Sequence, residues 1–167
     1  MSSAGDAWLP SLIELDDYGG DWERYVEEVY LGFRADFIAS RPRIPGRRWA
    51  VKRHPLIKGR EATFWHLVSE GRVEDERLPD LRRCERIRWP RAMIDALGTD
   101  RIVAWANRRR GECRVVIALP DFSYAVVLAD RGDYIMLWTA YTIDEGYRRK
   151  QMKAEWRRWG GGDLLKG

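Results

Sequence analysis

A chain of 167 residues, 45% hydrophobic and 34% charged, can bury one hydrophobic core and is too short for two domains to be expected. Its 30 basic against 26 acidic side chains leave a net charge of +4, which permits a polyanionic partner without requiring one. No apolar run reaches the roughly 20 residues of a membrane-spanning helix, and "MSSAGDAWLPSLIELDD" lacks the basic-then-apolar order of a secretory signal, so a cytoplasmic location away from membranes is expected.

Residues 1–20 read as an extended leader closed by a Gly19–Gly20 turn. Asp21 stands where a helix N-cap belongs, and Trp22, Val26, Val29, Phe33 and Phe37 follow at helical spacing. That helix should stop near Ser40, before "RPRIPG" breaks it. "RRWAVKRH" is expected as a short strand ended by Pro55. "TFWHLVSEG", from Thr63 to Gly71, holds one of only two histidines between apolar bulk and a polar run. After the polar loop "GRVEDERLPD", Pro79 or Asp80 should open a short helix with Leu81, Cys84 and Ile87 on one face. Pro90 interrupts it and fits the first turn of another helix that ends at Gly98.

From Arg101 the pattern changes. "RIVAWAN", "RVVIAL", "YAVVLAD" and "YIMLWTAY" are rich in β-branched and aromatic residues, and the turn signals "RRRG", "PDFS" and "DRGD" separate them. Connections so short make neighbouring strands antiparallel. Residues 145–159 form a closing helix, with Met152, Trp156 and Trp159 inward and Arg148, Arg149, Lys153 and Arg157 toward water. The expected whole is a single α+β domain over residues 1–167. A mainly helical part (21–100) packs on a four-stranded antiparallel meander (101–143), and the C-terminal helix closes it.

Nine tryptophans imply a heavily aromatic core or a stacking surface. Cys84 and Cys113 stand alone, without metal-ligand spacing, so neither a metal site nor a cofactor is expected, and no disulfide can be argued. Arginine recurs in groups: "RPRIPGRR", "RRCERIRWPR", "NRRRGECR" and "YRRK". In the second, Arg82 and Arg86 lie four residues apart with Arg88 close by, a spacing suited to clamping phosphate between planar guanidinium forks. The plainer alternative is a solvated helix face paired with Glu85.

Strict alternation along the last strand puts Tyr134, Met136, Trp138 and Ala140 on one face. Ile135, Leu137, Thr139 and Tyr141 take the other, which starts apolar and ends with two hydroxyls at an open edge. Those hydroxyls either orient a phosphate or simply finish the strand. His66 is either a packed core residue or, just before a loop, a proton-transfer group active near neutral pH. His54, among Lys52, Arg53, Lys58 and Arg60, suits an RNA contact better than proton transfer. Arg149 and Lys153 would extend a backbone-phosphate track along the closing helix. Metal-independent RNA cleavage needs a base for the 2′-hydroxyl, an acid for the leaving oxygen and cations for the phosphate. Serine-hydrolase, P-loop and Rossmann signatures are absent.

"FWHLVSEG", then "RLPDLRRCERIRWPR", then a strand pair closing on "YIMLWTAY", resembles phage- and mobile-element-encoded relatives of the Barnase–EndoU–colicin–RelE RNase superfamily. The resemblance covers about residues 49 to 150. It implies metal-free RNA cleavage by a helical part packed on a four-stranded antiparallel sheet, with a histidine before the sheet, arginines beside it and a hydroxyl on the final strand. His66, Arg86 and Thr139 occupy those positions, and Tyr141 would assist Thr139. A toxin or phage-interference factor acting on RNA, with a cognate inhibitor protein, is the expectation. A non-catalytic RNA- or protein-binding accessory module of a mobile element is the alternative.

Overall fold

The computed structural model describes residues 6–71 and 77–160. In chain order its elements are α1 (Trp22–Phe37), β1 (Arg48–Ala50), α2 (Ala62–Val68), β2 (Ser69–Glu70), β3 (Leu78–Pro79), α3 (Leu81–Glu85), α4 (Trp89–Asp95), β4 (Val103–Arg109), β5 (Glu112–Ala118), β6 (Tyr124–Asp130), β7 (Tyr134–Thr142) and α5 (Gly146–Trp159). The protein is α+β, as its hydrophobic periodicity indicates. Its described residues group into two compact units: those before Arg43 with Val51–Ala92, and Arg43–Ala50 with those from Met93 onward. Among the described residues no helix is long and apolar enough to cross a membrane.

The first unit is built around α1. Asp21 caps it, its carboxylate accepting from the Arg24 N–H at 3.2 Å, and Tyr25, Val26, Val29, Phe33 and Phe37 form its buried stripe. Trp22, expected on that stripe, is 37% exposed. Phe33 packs ring to ring with Phe37 and with Phe64 of α2, at centroid separations of 5.7 and 5.6 Å. The leader is stitched down. Tyr25 Oη donates to the Ile13 carbonyl at 2.9 Å, the Ile13 N–H donates to Glu85 at 3.0 Å, and Trp89 Nε1 donates to Pro10 at 2.8 Å. Asp80 caps α3 through the Arg82 and Arg83 amides. Cys84 and Ile87 are buried below it, whereas Leu81 is 40% exposed rather than inward.

One ion pair ties α1 to the segment after α3. Arg88 Nε and Nη2 meet Asp36 Oδ2 and Oδ1 at 2.7 and 2.9 Å. Gly32 allows this, because a Cβ there would stand 2.9 Å from Arg88 Cδ. Arg91 reinforces the same helix end, donating to the Asp36 carbonyl and to Ser40 Oγ.

The second unit holds a five-stranded mixed sheet, in the order β1-β7-β6-β5-β4, where four strands were expected. β4 to β7 form the anticipated antiparallel meander. The fifth strand is "RWA", paired parallel to β7 from Arg48 opposite Tyr134 to Ala50 opposite Met136. A parallel partner this distant in sequence leaves no turn signal to read. Arg47 fastens it, with Nε and Nη2 on the Asp130 carboxylate at 3.2 and 3.3 Å.

Alternation along β7 breaks at a bulge. Thr139 stands opposite Val127 and Leu137 opposite Leu128, leaving Trp138 as the extra residue. The bulge resets the faces. Trp138 therefore packs with Tyr141 against the same cluster, Trp105, Val116, Ala118, Ala125 and Val127, that α5 covers through Met152 and Trp156.

Candidate nucleic-acid interface

The stretch around His66 is explained by the end of α2. Ser69 is buried, and its hydroxyl donates to the Trp65 carbonyl. Arg77 Nε donates to Ser69 Oγ at 3.0 Å, and its other nitrogens reach the carbonyls of His66, Ser69 and Gly71. Arg83 adds a bond to the Ser69 carbonyl at 3.0 Å. Two guanidiniums thus satisfy carbonyls at the negative end of a short helix. His66 itself is half-buried on that last turn.

The expected phosphate clamp is largely occupied by protein. Arg86 donates from Nη1 to the Arg82 carbonyl and to Glu85, and stacks 5.1 Å from the Trp89 ring centroid. Arg88 is the partner of Asp36. Arg82 is exposed on α3. Lys52, His54 and Lys58 lie on an exposed loop in the same unit. Thr63 holds the loop's start, its hydroxyl bonding both the N–H and the carbonyl of Lys52 at 2.7 and 3.1 Å. Arg60, from the same loop, pairs with Glu27 at 2.7 Å. Burial pushes the Cys84 thiol up to about 12, so it is a core residue rather than a nucleophile.

Of the four expected catalytic residues, His66 and Arg86 belong to the first unit and Thr139 and Tyr141 to the second. Thr139 and Tyr141 stand on the face of the sheet that α5 covers, opposite Val127 and Ala125, beyond the Tyr134–Met136 stretch of β7 that β1 pairs. No single unit contains the histidine together with the strand hydroxyls. Among the described residues no group of three or more His, Cys, Asp or Glu side chains is placed to hold a metal.

What the second unit does assemble is a cationic surface. Glu155 faces the sheet, accepting from Trp105 Nε1 and Asn107 Nδ2, both at 2.9 Å. Helical periodicity then turns Lys150, Lys153 and Arg157 to the opposite side, where all three are exposed. Arg108, Arg109 and Arg110 are exposed where β4 turns into β5. Acids that could neutralise these cations are engaged elsewhere. Glu112 is held below the usual carboxylate range chiefly by its hydrogen bond from Arg114, with the Arg131 charge second. Glu145 pairs with Arg148 at 2.9 Å.

Two expectations for α5 need correcting. Trp159 is 49% exposed rather than buried; it lies one turn beyond Glu155, which is bonded to β4. Arg149 is half-buried and donates from Nε to the Ile143 carbonyl at 2.7 Å, so its guanidinium serves the turn before α5. The arginines of "NRRRG" were legible as a turn but were not assigned to a site. Three like charges side by side at a hairpin end were the available signal. Compared with protein-family models, curated proteins and solved structures, the chain matches none.

Proposed function

We propose that the protein binds RNA through the second unit, with the outer face of α5 contacting backbone phosphates. One observation carries this reading. Lys150, Lys153 and Arg157 share an exposed helix face without a carboxylate partner among the described residues, while nearby acids pair elsewhere or face inward. Surface cations gain little by pairing with protein carboxylates, whereas each one placed on a phosphate releases condensed counterions. Lys150→Ala/Lys153→Ala/Arg157→Ala should weaken RNA binding and lower its salt slope by about two units for a single strand. Affinity measured against salt for wild type and variant checks this. Superimposable curves would mean the face is merely solvated.

The half-buried position of His66 on the last turn of α2, before a polar segment, supports a second reading: metal-independent cleavage of RNA, with His66 as general acid or base, in a toxin or phage-interference factor. RNA incubated with the protein and a chelator should be cut. His66→Ala should slow that cutting by about 10²-fold or more while the protein stays folded. Activity that needs a divalent ion, or wild-type protein that leaves RNA intact, would remove the catalytic role and leave binding.

A further inference from the structure

We propose that Trp159 is a stacking platform for an unpaired nucleotide base, with arginines of the β4–β5 hairpin and of the last turn of α5 on the adjoining phosphates. This rests on the RNA-binding reading and adds the substrate class, single-stranded RNA.

The placement follows from the helix register. Glu155 is bonded to Trp105 and Asn107 of β4, and Trp159 lies four residues on, on the same side and about 6 Å farther along the axis. Near its start, α5 is tied to the end of β7 through Arg149 and the Ile143 carbonyl. The helix thus advances from the β7 end of the sheet toward the outer half of the β4–β5 hairpin. Trp159, one turn farther along that course, is half exposed, with the Arg158 guanidinium 5.0 Å from its ring centroid.

The hairpin presents its arginines on a tight turn. Arg110 and Gly111 both adopt left-handed backbone, with φ of +52° and +79°, the geometry of a two-residue turn that matches strand twist. Asparagine is the usual residue at the first of these positions and arginine an uncommon one. Arg109 pairs with Glu112 across the ladder and Arg108 with Cys113, so all three cations cluster at one end of the ribbon. The nearest carboxylate, Glu112, is taken by Arg114 and Arg131.

An indole with a guanidinium beside its ring, on a unit rich in exposed arginines, discriminates between kinds of partner. An apolar protein surface seated on Trp159 would desolvate the arginines without pairing them. A nucleotide strand presents a π face for the indole and an anion on either side of it. A duplex keeps its bases stacked on one another and offers none.

The test uses the full chain, an unstructured RNA of about ten nucleotides and the duplex of the same sequence, with binding followed by anisotropy of a labelled strand. Trp159→Ala should weaken single-strand binding about tenfold, leave duplex binding within twofold and keep the salt slope of wild type, since no charge is removed. Trp159→Phe should recover most of the loss. Unchanged single-strand affinity in Trp159→Ala, or an equal loss on both probes, overturns the stacking role while leaving RNA binding intact. Wild-type protein that binds neither probe at low salt overturns both.

Discussion

Arg88→Met should destabilise the protein by about 2–3 kcal/mol, measured by urea unfolding. Methionine keeps an unbranched stem that can lie across Gly32, so packing is largely preserved. The charge is not, and the Asp36 carboxylate is left behind with its side chain only 10% exposed. Removing the bidentate partner of a buried carboxylate leaves its charge less well compensated in a poorly solvated place. The two partners are not equivalent, because the Arg88 side chain is 42% exposed and can be hydrated once its carboxylate is gone. Asp36→Asn should therefore cost clearly less than Arg88→Met, and Arg88→Met/Asp36→Asn should recover about half of the single-variant loss. Equal costs for the two single changes, or additive costs in the double, would show that the pair is a surface interaction of little worth.

The same pair shows why arginine-rich sequence is hard to read for function. "RRCERIRWPR" looks like a phosphate clamp because guanidiniums recur at helical spacing, but the carboxylate that takes Arg88 comes from Asp36, two helices and several loops earlier. Local signals carried well. Asp21 and Asp80 were legible as caps because the group they satisfy lies two or three residues away, and the β4–β7 meander was legible because its turns are short. Signals failed where the deciding contact is distant. β1 pairs parallel with β7, the bulge at Trp138 exists only relative to β6, and Trp159 lies a turn beyond Glu155, the residue that bonds α5 to β4. Arg108, Arg109 and Arg110 became candidates only once their possible carboxylate partners were seen to be engaged elsewhere.

Glu155→Ala should destabilise the second unit by about 2–3 kcal/mol, read as a lowered unfolding midpoint. The carboxylate is the acceptor for two donors at once, and one of them, on Trp105, belongs to a side chain with no exposed surface. Alanine leaves both without an acceptor under α5, where water has poor access. Glu155→Gln separates hydrogen bonding from charge. Asn107 Oδ1 is buried with no hydrogen-bond partner, so once the Asn107 amide turns by 180° a glutamine could accept from Trp105 with its oxygen and donate to Asn107 Oδ1 with its amide. Glu155→Gln should therefore cost under about 1 kcal/mol. It also removes a negative charge from the helix that carries Lys150, Lys153 and Arg157, so RNA affinity should stay equal to wild type or rise. Glu155→Ala should instead lose affinity despite the same change in charge, because the helix is less firmly fixed on β4. If both variants bind RNA alike, the position of α5 on the sheet does not govern binding, and phosphate contact by this helix depends on its charge alone.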